Sequence, residues 1–342
     1  MRIFRKLSGK RMGSMVITQT PLRMSFAGGG TDFPQFFQKH GGSVIAATFD
    51  KYCYVTARRL PPFFAYKSEI CYAETERVRA VSEIRHPAVR NALLYLGMEN
   101  IRLTYECDLP ARSGLGTSSA FAVGMLSALH TLQGKTADKR KLADEAIYLE
   151  RELCGECGGW QDQISTAFGG FHRIDFSADG YTVKPLVISP ARKSALADNL
   201  LLFFTGVTRH SAEVQREVAH TLGNKTAELC ATLRLVDEAE RILTGTESLD
   251  SFGRLLDELW QRKKALSPVI SAERIDGLYE RAKNLGALGG KLLGAGGGGF
   301  LLFYVPQERR QAVLCELSEL VHVPFRLESG GTRILYYRAE DE

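Results

Sequence analysis

The sequence predicts an α+β fold built in two halves. Up to Cys107 the chain is dominated by short β-branched and aromatic runs with glycine and proline between them. From about Ser211 it becomes helix-rich and charged before closing on further strands. Three glycine-rich loops punctuate it, near the start, after the first third and near the C-terminal end. A chain of 342 residues can bury one large core or two.

In order, strands are expected over 16–19, 22–27, 43–48, 52–57, 69–72 and 101–107. Helices follow over 119–132 and 137–154; in the second, Leu142, Ala146, Leu149 and Leu153 recur at helical spacing. Strands return at 170–174, 182–187 and 200–204. A boundary is expected between Thr205 and Ser211. Beyond it come helices over 211–222, 227–243, 249–265 and 271–284, a strand over 299–305, a helix over 307–320, and strands near 324–327 and 334–337. The expected domains are 15–207 and 208–342. Residues 1–14 read as a basic leader outside the fold; without an apolar h-region they do not form a secretory signal.

Composition is that of a globular protein, 44% hydrophobic and 24% charged. No apolar run reaches the roughly 20 residues of a membrane span. A net charge of +5 fits a small anionic ligand at least as well as nucleic acid, and no RNA-binding signature accompanies it. Seven scattered cysteines without a signal peptide point to reduced thiols and a cytoplasmic location. Cys154-Gly-Glu-Cys157 matches C-x-x-C, but the further ligands of a zinc site are missing from the sequence pattern. Nothing here sets the oligomeric state, so a homodimer is allowed for.

The chemistry is concentrated in the loops. Asp108-Leu-Pro-Ala-Arg-Ser-Gly-Leu-Gly-Thr-Ser-Ser-Ala120 runs from glycines into three hydroxyl residues and then an apolar run. Glycine lets backbone approach a ligand closely, and a helix starting just after it points free N–H groups and a positive dipole end at the loop. That is an anion site suited to phosphate; the alternative is a turn with a Thr or Ser N-cap. Thr20-Pro-Leu-Arg-Met-Ser-Phe-Ala-Gly-Gly-Gly-Thr-Asp-Phe33 leads a strand into three glycines and an aspartate. Lys291-Leu-Leu-Gly-Ala-Gly-Gly-Gly-Gly-Phe300 precedes a strand. This last loop spells G-x-G-x-x-G, but a strand follows where a dinucleotide site needs a helix.

With these three loops in this order, the chain resembles the GHMP small-molecule kinases, the group of galactokinase, homoserine kinase, mevalonate kinase and phosphomevalonate kinase. The resemblance runs from about Val16 to Tyr337. Ile84-Arg-His-Pro-Ala-Val-Arg90 and Gly158-Gly-Trp-Gln-Asp-Gln163 narrow it to the branch acting on D-glycero-D-manno-heptose 7-phosphate, with fucokinases as near relatives. It implies a ribosomal-protein-S5-like N-terminal domain, a ferredoxin-like C-terminal domain and a site in the cleft between them. The implied reaction is ATP- and Mg²⁺-dependent transfer of a phosphoryl group to the anomeric hydroxyl. Its product would be the 1,7-bisphosphate used in nucleotide-activated heptose synthesis.

Residue by residue, the resemblance implies ATP binding by Pro110, Ser113, Gly114, Leu115, Gly116, Thr117, Ser118 and Ser119, with Gly294, Gly296 and Gly297 supporting the phosphates. Ser118 and Glu150 would meet Mg²⁺, with Thr117 and Ser119 also offering hydroxyls. Asp162 and Arg23 would be catalytic, and Gly29, Gly30, Thr31 and Asp32 would bind the sugar. From residue type alone, Glu150 reads equally as a solvated helix glutamate beside Arg151, Asp162 as a helix N-cap and Asp32 as an Asx-turn residue. Arg23 likewise reads as a surface charge on a strand edge. A phosphate on the acceptor would need cations, for which Arg58, Arg59, Lys67, Arg85, His86 and Arg90 are available. Gly29-Gly30 stands where galactokinase-type members carry Glu-His, which argues against galactose. The competing readings are a fucokinase-like or other hexose 1-kinase, a sugar- and ATP-binding sensor without turnover, and an RNA-binding module.

Overall fold

The computed structural model describes residues 14–207, 216–217, 225–267 and 269–339. The basic leader, save Ser14, and nearly all of the helix expected over 211–222 lie outside the described residues.

Two sheets organise the molecule. The larger has eight strands, ordered β12-β1-β2-β5-β3-β4, with β6 paired to β2 and β7 paired to β6. Its spine is β1 (Met15–Ala27) and β2 (Gly42–Arg59), paired antiparallel along most of their length. Each unites two expected strands. β1 continues through Pro21 with a register shift at Pro21/Leu22. β2 pairs β6 (Phe171–Ser177) through Gly42–Ala47 and β5 (Ile101–Cys107) through Cys53–Arg59, so one strand serves two neighbours in succession. The remaining strands are β3 (Ser68–Cys71), β4 (Thr75–Val78), β7 (Gly180–Pro185) and β12 (Arg333–Arg338).

The smaller sheet, ordered β11-β8-β10-β9, joins β8 (Leu200–Phe204), β9 (Gly289–Leu292), β10 (Phe300–Tyr304) and β11 (Val321–His322). Its strands alternate with the two-residue period of a sheet buried on both faces. Leu200 and Leu202 join the core of the larger sheet, while Leu201 and Phe203 join a second core with Trp260, Tyr279 and Phe303. Two strands thus cross the boundary expected at 207/208. β8 precedes it yet pairs in the smaller sheet, and β12 follows it yet pairs with β1.

The helices are α1 (Pro34–His40), α2 (Pro87–Tyr95), α3 (Thr117–Leu132), α4 (Lys139–Tyr148), α5 (Gln161–Phe168), α6 (Pro190–Asp198), α7 (Thr226–Thr244), α8 (Asp250–Lys264), α9 (Glu273–Asn284) and α10 (Arg310–Glu316). Three were not expected: α1, α2 and α6. Each is short and opens on proline, which presets the helical φ and needs no N–H at that position. The strand expected near 324–327 does not form; only Leu327 makes a bridge, to Phe49. The helix expected over 307–320 is confined to α10 after one 3₁₀ turn. α4 is shorter than expected too. After Tyr148 it widens into a π turn, Leu149–Leu153, closed by the Cys154 N–H bonding the Leu149 carbonyl at 2.9 Å. That widening carries Glu150 into the interior.

Candidate active site

β1 and the loop after it supply one wall of the site. Arg23 pairs with Thr48 of β2, donates its backbone N–H to the Leu115 carbonyl at 3.1 Å and is only 3% exposed, so the surface-charge reading fails. Its guanidinium grips Asp162 with two parallel bonds, Nε to Oδ1 at 2.9 Å and Nη2 to Oδ2 at 2.7 Å. A third bond runs from Nη1 to the Gly114 carbonyl at 2.7 Å. The planar fork of arginine suits this two-point clasp, which fixes the plane of the carboxylate.

The reading of Asp162 as an N-cap is also corrected. α5 starts two residues earlier than a cap at Asp162 requires; Trp160 is the N-cap and makes no side-chain cap bond. Asp162 sits inside the first turn, where the helix dipole favours a negative charge.

α5 begins with three residues that reach three different places. Gln161 donates from Nε2 to Asp32 Oδ2 at 3.0 Å. Asp162 meets Arg23. Gln163 donates to Glu150 Oε2, which also accepts the Ser119 hydroxyl at 2.8 Å. Successive residues project about 100° apart around a helix, so one turn can tie together three groups that lie far apart in sequence. Gly159, just before this turn, is required sterically: a Cβ there would sit 1.8 Å from Asp32 Oδ2.

Asp32 is buried, and Oδ1 accepts the Gly30 N–H at 3.0 Å. Burial, joined by the negative charge of Asp162, pushes its carboxyl above the ordinary aspartate range, against the backbone donors Gly30 and Gln161. Gly28, Gly29, Gly30 and Asp32 line a cavity with Arg23, Asp162, Ser25 and Gln161. Thr31 does not line it; its hydroxyl donates to the Gly28 and Ser43 carbonyls. The opposite wall comes from the second half of the chain: Leu259, Lys263, Leu266, Ile270, Lys291 and Gly294. Two polar atoms on this cavity, Ser25 Oγ and Gln161 Oε1, are buried without a partner among the described residues. Such atoms in a native fold call for a ligand or water.

The phosphate-type loop lies beside this cavity. α3 has Gly116 as N-cap, with no side-chain cap, so the Thr or Ser cap reading does not hold. The first bond within the helix is from the Ala120 N–H to the Gly116 carbonyl, which leaves the preceding N–H groups at the helix end. Ser118 is exposed there while Thr117 and Ser119 are buried. The loop packs against the C-terminal glycine loop, backbone on backbone. A Cβ on Gly114 would lie 2.3 Å from the Leu293 carbonyl oxygen, and one on Gly294 would lie 2.3 Å from Gly114 Cα. Gly297 N–H is taken by the Ile270 carbonyl at 2.9 Å, which holds that loop in place.

Glu150 is 3% exposed and hydrogen-bonded to Ser119 and Gln163, so it is not a solvated partner of Arg151. Arg151 instead donates to the Gly159 carbonyl at 2.7 Å. Beside Glu150, Gln163 Oε1 is buried without a partner among the described residues. A carboxylate, an orphaned amide oxygen and the hydroxyls at the start of α3 are hard oxygen donors, and this set fits Mg²⁺.

The residues that sequence reasoning missed are Lys263, Lys291, Gln161, Gln163 and the inward role of Ser119. Lys291 carried a signal, being a lone charge in the apolar strand before the last glycine loop. Lys263 carried none, because a basic last turn is ordinary for a helix. The arginines considered for an acceptor phosphate lie elsewhere: Arg85 pairs with Glu74 and Glu76, and Arg90 donates to the Ile84 carbonyl.

Comparison with known proteins agrees with this fold. The family model for the N-terminal domain of GHMP kinases matches residues 79–170, and that for the C-terminal domain matches 236–322, together more than half of the chain. The chain is 29% identical over 321 residues to D-glycero-alpha-D-manno-heptose 7-phosphate kinase of Campylobacter jejuni, covering 88% of this chain and 93% of that protein. It is 28% identical to the bifunctional fucokinase/GDP-fucose pyrophosphorylase of Arabidopsis thaliana, covering 83% of this chain and 29% of that protein. In fold it resembles a D-glycero-D-manno-heptose 1-phosphate kinase from Bacteroides thetaiotaomicron, with TM-score 0.71 and 24% identity over 95% of this chain and 100% of that one. Lactococcus lactis galactokinase aligns with TM-score 0.72 and 17% identity over 93% and 95% of the two chains. Two matched domain models, the two-sheet architecture and the three glycine loops converge: the chain belongs to the GHMP kinase family and is an ATP-dependent kinase.

Proposed function

We propose that the chain transfers the γ-phosphoryl group of ATP to the anomeric hydroxyl of D-glycero-D-manno-heptose 7-phosphate, giving the 1,7-bisphosphate. The observation that carries this reading is the first turn of α5, where Gln161, Asp162 and Gln163 connect Asp32, Arg23 and Glu150. One helix end thereby brings together an acceptor group, a transfer group and a metal group. The similarity to the Campylobacter kinase supports the choice of acceptor.

Phosphoryl transfer needs positioning and charge neutralisation more than covalent chemistry. In this reading Asp32 and Gln161 hold the sugar hydroxyls. Asp162 faces the anomeric O–H, orients it and takes its proton as the oxygen attacks phosphorus. Both carboxylate oxygens bond Arg23, and each retains a further lone pair. The bond from phosphorus to the bridging oxygen breaks and ADP leaves. Arg23 stabilises charge on the transferring group, and the N–H groups at the start of α3 take the nucleotide phosphates. Ser118 and Glu150 would hold Mg²⁺, which when bound neutralises phosphate charge.

One observation favours a second acceptor. Phe33, Leu259, Leu266 and Ile270 give the cavity an apolar side that would suit the methyl group of L-fucose. A coupled ADP-release assay across D-glycero-D-manno-heptose 7-phosphate, the unphosphorylated heptose, L-fucose and D-galactose decides between them. The heptose 7-phosphate is expected to give the highest kcat/KM. A higher value for L-fucose would replace it as acceptor, and no ADP release with any sugar would sink the sugar-kinase reading.

A further inference from the structure

Two lysines from the second half of the chain reach into the cavity beside Asp32. Lys291 is 5% exposed, and its ammonium donates to the Phe26 carbonyl at 2.9 Å. Lys263, partly buried, donates to the Leu292 carbonyl at 3.0 Å and the Gly294 carbonyl at 2.5 Å. Neither forms an ion pair with a carboxylate among the described residues. Buried ammonium groups without a counter-ion are costly. The ionisable groups lining the cavity are Arg23, Lys263 and Lys291 against Asp32 and Asp162, and Arg23 is clasped by Asp162. Two lysine amines therefore face one remaining carboxylate. Ser25, adjacent to the carbonyl that holds Lys291, adds a hydroxyl with no partner.

We propose that Lys263, Lys291 and Ser25 form a subsite for the phosphate of a phosphorylated acceptor. This rests on the reading of the cavity as the acceptor pocket. The same wall that carries the lysines faces Gly28–Gly30, Asp32 and Gln161, whereas the nucleotide end has the start of α3 for its own phosphates. A phosphate carried by a sugar bound at Asp32 would meet the two lysines on that wall. Neither arginine-rich candidate from the first half could do this, since Arg85 and Arg90 do not line the cavity.

The charge state of the pair adds an independent readout. Burial, with Arg23 next in weight, pulls Lys263 down to about 7, opposed by Asp32. Burial, Lys263 and Arg23 pull Lys291 well below the ordinary lysine range. An arriving phosphate dianion favours both ammonium forms, so binding takes up protons at pH 8.

The test compares Lys263→Met, Lys291→Met and wild type on D-glycero-D-manno-heptose 7-phosphate and on the unphosphorylated heptose. In each variant the ratio of the two kcat/KM values is expected to fall roughly 10- to 100-fold, the weight of one charge-assisted bond to phosphate. Because a ratio is read, partial misfolding cancels. Calorimetric titration of wild type with the sugar 7-phosphate, in buffers of different ionisation enthalpy, is expected to show proton uptake that shrinks in Lys263→Met. An unchanged ratio in both variants would overturn the subsite, leaving the lysines to the transferring phosphoryl group or to the fold, while turnover of the heptose 7-phosphate would keep the kinase reading intact. A wild type that turns over neutral sugars better would overturn both the subsite and the choice of acceptor.

Discussion

The nucleotide end and the acceptor end of the cleft are built on opposite plans. At the nucleotide end two glycine loops, 113–116 and 294–299, meet backbone to backbone, and their tolerance is set by single missing Cβ atoms. At the acceptor end the wall is made of side chains from β1, the loop before α1, the first turn of α5, the last turn of α8 and β9. A steric requirement of the first kind is local and leaves a pattern in sequence. A constellation of the second kind exists only once the chain has folded. The comparison therefore predicts that the two ends fail differently, the first through stability and nucleotide affinity, the second through turnover and selectivity.

The largest effect is expected at the acceptor end. Asp162→Asn keeps the shape but loses the charge and the capacity to take a proton, and kcat is expected to fall by about 10²–10⁴. Because Asp162 is the partner of buried Arg23 rather than a cap, thermal or denaturant unfolding should also show a loss of about 1–3 kcal/mol. Turnover within a few-fold of wild type in the folded variant would remove Asp162 from the chemistry.

Gly114→Ala probes the nucleotide end. Gly114 has φ +83°, and the added Cβ would meet the Leu293 carbonyl at 2.3 Å. A stability loss of about 1–3 kcal/mol is expected, with KM for ATP raised. A wild-type melt together with a wild-type KM for ATP would mean the loops do not pack in this way.

The smallest effect is a slope. Lys263 has its folded-state value lowered to about 7, while the unfolded lysine titrates near 10.5. Between those values the unfolded chain binds more protons, so stability rises with pH through that window. The gain is at most about 1.4 kcal/mol per pH unit. In urea melts from pH 7 to 10, Lys263→Met should show a shallower rise than wild type. Parallel curves would mean that Lys263 is not held in a cation-disfavouring site.

The same contrast explains what could be read in advance. The loops at 108–120 and 291–300 were legible because glycine is obligatory wherever two backbones touch. Arg23 and Asp162 were legible only through resemblance to a family; residue type left each an ordinary surface or cap reading, and both readings fail. Glu150 looked like a solvated helix residue because periodicity assumes a regular helix, and the π turn at Leu149–Leu153 breaks that assumption. α1, α2 and α6 were missed although each carries proline at its first turn, a start signal outweighed by their short length. Lys263 stayed invisible inside Arg262-Lys263-Lys264, where only its own ammonium turns inward to the Leu292 and Gly294 carbonyls.

In the proposed reaction this cleft phosphorylates the anomeric oxygen of a sugar that already carries a phosphate. Phosphorus NMR of the reaction with ATP, Mg²⁺ and D-glycero-D-manno-heptose 7-phosphate tests it most directly. A new phosphate resonance coupled to the anomeric proton is expected, appearing in step with ADP and nearly abolished in Asp162→Asn. ADP formed without that resonance, or the resonance formed at the wild-type rate by Asp162→Asn, would contradict it.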